Sequence, residues 1–71
     1  MSEEKLEYGI VKVFHPLKGF GFIQRTKGKD VFVMFADIMD DDSTFIEGAH
    51  VSFIVEQAEK GPRAKNVRLV G

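Results

Sequence analysis

Lys18-Gly19-Phe20-Gly21-Phe22-Ile23, followed eight residues on by Val31-Phe32-Val33-Met34-Phe35, decides the fold of this chain. In an extended strand successive side chains point to opposite faces, so Phe20 and Phe22 share one face and Gly21 and Ile23 the other. The same period puts Phe32 with Met34 and sends Val31 and Val33 to the opposite side. Each strand therefore has an aromatic and an aliphatic face, and so short a chain can bury only one of them as its core. Ile23, Val31 and Val33 suit a packed interior. Phenylalanines flanked by Lys18 and glycines suit a surface on which flat, unpaired bases stack.

Outward from this pair, Tyr8 to His15 reads as a preceding strand, rich in β-branched and aromatic residues and ended by Pro16, which cannot donate to a ladder. Strict alternation puts Tyr8, Ile10, Lys12 and Phe14 on one side of it, Val11 and Val13 on the other. Lys18 to Gln24 is the second strand and Asp30 to Phe35 the third. Arg25-Thr26-Lys27-Gly28-Lys29 connects them, with Gly28 expected at positive φ. Ala36 to Ile46 is irregular around Asp40-Asp41-Asp42-Ser43. Glu47-Gly48 turns into a fourth strand, His50 to Val55, with Val51, Phe53 and Val55 inward. Ala58 to Pro62 is a further turn, and Ala64 to Val70 a last strand with Val67 and Leu69 inward. Five short strands without helical periodicity or internal repeat predict an all-β barrel, whose closure hides sheet edges.

The motifs K-G-F-G-F-I and D-V-F-V-M-F resemble the paired ribonucleoprotein motifs of the bacterial cold-shock proteins. G-I-V-K-V-F before them, E-G-A-H-V-S-F in the fourth strand and K-G-P-R-A-K-N-V near the end extend the resemblance over Gly9 to Val70. It implies a five-stranded antiparallel oligonucleotide-binding barrel that takes single-stranded nucleic acid. Residues and resemblance together assign the interface to Lys12, Val13, Phe14, Lys18, Phe20, Phe22, Asp30, Phe32, Met34, Phe35, Lys60 and Arg63. Lys12, Lys18, Lys60 and Arg63 are expected to contact phosphates. The resemblance also places Val13 on the binding surface beside Lys12, against strict alternation; one extra residue in the strand would reconcile the two.

Departures from the family pattern fall on stacking positions. Val13 stands where the family usually has tryptophan, Met34 where it has histidine, and Asp42 lies near the usual loop aromatic, in a loop one residue shorter. Losing even two stacking partners lowers affinity by several kcal/mol at about 1 to 3 kcal/mol per base. Met34 recovers part of this, because a thioether still packs on a ring.

Seventy-one residues make one domain, here expected at 8–71 behind a flexible extension of residues 1–7. The chain has no cysteine, which excludes a disulfide framework and a thiolate metal site. No apolar run approaches the roughly 20 residues that span a bilayer. A cytoplasmic, monomeric protein without membrane association is expected. The net charge of −1 is uneven. Lys12, Lys18, Arg25, Lys27 and Lys29 stand against Asp30 in residues 8–36, and Lys60, Arg63, Lys65 and Arg68 are basic near the end. Residues 37–59 hold Asp37, Asp40, Asp41, Asp42, Glu47, Glu56 and Glu59 without a lysine or arginine. Basic charge thus coincides with the aromatic strands.

No cofactor, metal or enzymatic activity is expected. The Asp40–Asp42 run lacks the alternating ligand spacing of a calcium loop, and His15 and His50 belong to no nucleophile or metal motif. Two functions fit. The first is low-selectivity binding of single-stranded RNA or DNA as an RNA chaperone, in cold-shock response or general post-transcriptional regulation. The second is a barrel of the same kind whose aromatic face serves a protein partner.

Overall fold

The computed structural model describes residues 6–39, 46–59 and 61–70. Its strands are β1 (Leu6–His15), β2 (Phe20–Arg25), β3 (Val31–Met34), β4 (His50–Ala58) and β5 (Gly61–Leu69), with a 3₁₀ turn, Phe35–Asp37, after β3. They close into a barrel in the order β1-β2-β3-β5-β4. All neighbours are antiparallel except β3 and β5, which meet in parallel through Phe32 with Arg63 and Val33 with Ala64. A short seam suffices there because each strand has a longer antiparallel partner on its other side.

Inside lie Val11, Ile23, Val31, Val33, Val51, Phe53, Ala64 and Val67, each at most 1% exposed. Phe14, Ile38, Val55 and Leu69 pack against this cluster. Of the residues expected inward on β2 to β5, Ile23, Val31, Val33, Val51, Phe53 and Val67 form the core, whereas Val55 and Leu69 are partly buried at its margin; burial of each large side chain favours folding by about 1.5 to 3 kcal/mol.

Strict alternation fails in β1. Val11 lies opposite Ile23, but Val13 lies opposite Phe22, so Lys12 is the extra residue of a bulge. Val11 points inward and Val13 outward with Phe22, while Phe14 falls in the inner row with Gly21 and Val33. The polar groups of Val11 are met from the β4 side: its N–H donates to Ala49 O at 2.9 Å, and its carbonyl accepts from Gly48 N–H at 2.8 Å. Gly21 makes the crossing possible. A Cβ there would strike the Val13 carbonyl oxygen and lie 2.9 Å from Phe14 Cα and Cδ1.

A second register shift, between Ser52 and Ile54, coincides with Asn66 at φ 52°, a left-handed conformation that asparagine tolerates. The segment after the 3₁₀ turn is tied down here, since Ile38 bridges to Val67 and Met39 N–H donates to Val67 O at 2.8 Å.

Several boundaries differ from expectation. β1 begins at Leu6, where Leu6 and Glu7 pair with Ile54 and Phe53, so those two residues belong to the barrel rather than to an extension. Lys18 and Gly19 precede β2 in a turn whose N–H groups both donate to His15 O, at 3.0 and 2.8 Å. β4 runs to Ala58 and β5 starts at Gly61, because the sheet continues almost to the connection between them. Among the described residues no helix is long and apolar enough to cross a membrane.

Gly28 has the positive φ expected of it, 97°. An alanine there would be strained and would place its Cβ 2.9 Å from Arg25 Nη2, the guanidinium whose Nε donates to Lys29 O at 2.7 Å. Gly28→Ala is expected to lower stability by about 1 kcal/mol, read as a reduced urea midpoint at unchanged slope.

Candidate nucleic-acid interface

Residues directly opposite each other on neighbouring strands share a face, so the register defines the outer surface row by row. One row runs Val13, Phe22, Phe32, Arg63 across β1, β2, β3 and β5; the next runs His15, Phe20, Met34 across β1, β2 and β3. The β1 bulge brings Val13 into the first row.

Three phenylalanines form the centre. Ring centroids lie 6.5 Å apart for Phe20 and Phe22, 5.7 Å for Phe20 and Phe32 and 5.7 Å for Phe22 and Phe32. Phe22 meets the other two nearly edge to face, at 84° and 66°, an arrangement that the ring quadrupoles favour. Mutual propping fixes the rings while leaving apolar surface uncovered: Phe22 is 37% exposed and Phe20 and Phe32 are half-buried. Met34 and Phe35 continue the patch, at 39% and 47% exposed. Phe35 is held at the start of the 3₁₀ turn by its N–H, which donates to Gly19 O at 2.8 Å. Phe22, Phe32, Met34, Pro62 and Arg63 line a groove along this surface.

His15 belongs to the patch although the sequence did not mark it. Its ring packs against Phe20 at a centroid distance of 5.3 Å and 62°. The available signal was its position at the end of β1, in register with Phe20 across the turn. Phe14 is the opposite case. Expected on the interface, it is packed against the core, because the residue after an outward Val13 must point inward.

The charged residues are partly engaged with one another. Lys12 Nζ lies 3.0 Å from Asp30 Oδ2, joining two expected interface residues in an exposed ion pair. The Arg63 guanidinium donates from Nε at 3.0 Å and from Nη2 at 2.7 Å to Asp37 Oδ2, in a pair whose carboxylate side chain is only 11% exposed. Lys18 is exposed in the β1–β2 turn. Lys60 and Asp40 to Asp42 lie outside the described residues.

A closed five-stranded barrel with clustered outward phenylalanines on β2 and β3 is a barrel of the oligonucleotide-binding class. Residues 7–70 match the family described as the 'Cold-shock' DNA-binding domain, and the chain belongs to that family. It is 50% identical over 64 residues to cold shock protein CspC of Bacillus subtilis, covering 89% of this chain and 97% of that one. Identity to cold shock protein CspV of Vibrio cholerae is 54% over 61 residues, covering 83% and 87%. Cold shock-like protein CspB of Escherichia coli is 51% identical over 61 residues, covering 83% and 86%. Among solved structures, drosophila Unr CSD456 superposes with a TM-score of 0.81 over 96% of this chain and 28% of that one. At 23% identity this likeness concerns the fold alone.

Proposed function

We propose that this protein binds single-stranded RNA or DNA with low sequence selectivity and acts as an RNA chaperone in cold-shock or general post-transcriptional regulation. The observation that carries this reading is the cluster of Phe20, Phe22 and Phe32 on one outer face. Every base has a π-face, so stacking on such a platform is tolerant of sequence. Capturing unpaired bases shifts a hairpin toward its melted form by mass action, because the protein binds the open state and not the paired one. In this reading Lys12, Lys18 and Lys60 guide the backbone, and Val13, Met34 and Phe35 extend the platform. A cytoplasmic monomer is part of this reading, and the closed barrel leaves no free edge among the described strands for another copy to pair with.

Titration with fluorescein-labelled heptathymidine and the matched RNA oligomer at two salt concentrations tests the proposal. Binding that weakens with salt is expected, since phosphate contacts release counterions. Lys18→Ala should weaken binding to all sequences alike and flatten the salt slope by about one unit. An unchanged slope would remove Lys18 from the phosphate path. No binding to either oligomer would instead favour a protein partner on this face.

A further inference from the structure

Arg63 ends the row that begins at Val13, one strand beyond Phe32, yet its charge is answered by Asp37. Coulomb attraction falls only as 1/r, so a phosphate about 4 Å from the guanidinium and about 6 Å from the carboxylate loses about two-thirds of the attraction it would feel from arginine alone. A neutral acceptor suffers no such loss. Nor is the whole guanidinium consumed. Arginine has five N–H donors in a fixed plane, and Asp37 Oδ2 takes one from Nε and one from Nη2. Among the described residues the edge between Nη1 and Nη2 keeps two parallel donors, and the two bonds to Asp37 hold that edge in a fixed orientation.

We propose that Arg63, oriented by Asp37, reads one base of the bound strand and prefers guanine there. The proposal rests on the nucleic-acid reading above and adds one selective position to a sequence-tolerant surface. Phe32 and Arg63 are in register on adjacent strands, about 4.8 Å apart. A base stacked on the Phe32 ring therefore lies beside Arg63, and in this proposal its edge meets the Nη1–Nη2 side of the guanidinium. Guanine offers two adjacent acceptors, O6 and N7, to such a fork, whereas thymine has a single O4 beside a methyl group. Asp37 and Arg63 are 26 apart in sequence, and it is the parallel β3–β5 seam with the following 3₁₀ turn that joins them.

The test is a set of heptathymidines carrying one guanine in turn at each position, titrated by fluorescence anisotropy. One of them is expected to bind about 5- to 150-fold more tightly than heptathymidine. Replacing that guanine by 7-deazaguanine keeps the stacking area and removes N7, and should abolish most of the gain with the protein unaltered. Asp37→Asn should also remove the guanine preference while steepening the salt slope for heptathymidine, since the released guanidinium then turns to phosphate. Arg63→Lys should remove the preference as well, because lysine keeps the charge but lacks the planar fork. Equal affinity for all heptamers, or a preference that survives 7-deazaguanine, overturns the inference and leaves the proposed function standing. Failure to bind any heptamer overturns both.

Discussion

Replacement of Phe22 and Phe32 together by alanine is expected to weaken binding of heptathymidine by about 2 to 6 kcal/mol, from about thirtyfold to more than ten-thousandfold. These two rings occupy the middle of the outer row, 5.7 Å apart, and line the groove beside Arg63. Neither belongs to the buried cluster, which is closed by Val31, Val33 and Ile23 on the other face of the same strands. Stability should fall only by about 1 to 2 kcal/mol, from lost ring contacts and partial burial. Fluorescence anisotropy and urea unfolding on the same variant check both numbers. A stability loss that equals the binding loss would make these phenylalanines core residues.

The separation of faces was legible because β2 and β3 alternate without interruption. Phe20, Phe22, Phe32 and Met34 go outward, and Ile23, Val31 and Val33 inward, by a two-residue period that needs only the local chain. β1 was not legible in the same way. Its apolar residues fit either register, and the insertion of Lys12 depends on two partners that the strand does not encode by itself: Ile23 and Phe22 on one side, Ala49 and Gly48 on the other. The family resemblance placed Val13 outward, and the bulge that puts it there turns Phe14 toward the core, where it is partly buried against the cluster. Gly21 is required by a close approach of the neighbouring chain, that of β1 itself.

Electrostatics shows the same limit from another side. Grouping charges by segment found the basic strands and the acidic middle. It missed that Lys12 is matched by Asp30, 18 residues on, and Arg63 by Asp37, 26 residues back, because the fold makes both pairs: Lys12 of β1 reaches past β2 to the residue before β3, and Arg63 of β5 meets the 3₁₀ turn that follows β3. Two cations counted toward phosphate binding are therefore already neutralised in the free protein. A strand that recruits either must first break an ion pair, or accept the pair as a polar, nearly neutral element of the surface. For the exposed Lys12 pair the cost is small, since exposed pairs are worth at most about 1 kcal/mol. The Arg63 pair, with two hydrogen bonds and a nearly buried carboxylate, is harder to open.

Val13→Trp should raise affinity for a short pyrimidine oligomer by about 1 to 3 kcal/mol. The register sets Val13 directly opposite Phe22 on the outer face, where it is half-buried by neighbours and separated from the core by the sheet. An indole there extends the row of rings by one member and asks nothing of the packed interior, so stability should stay nearly unchanged. Had the strand kept strict alternation, the same substitution would overpack the barrel and cost about 1 to 3 kcal/mol of stability. The bulge at Lys12 is therefore what the experiment tests: affinity rises at unchanged stability on the observed register, and stability falls without a gain in affinity on the strictly alternating one. The chain has no tryptophan of its own, so the fluorescence of the variant reports this position alone. Quenching on addition of oligomer, with an unshifted urea midpoint, is the expected result. A destabilised variant without gain in affinity would put Val13 inside and would remove the explanation that its loss of an aromatic weakens binding.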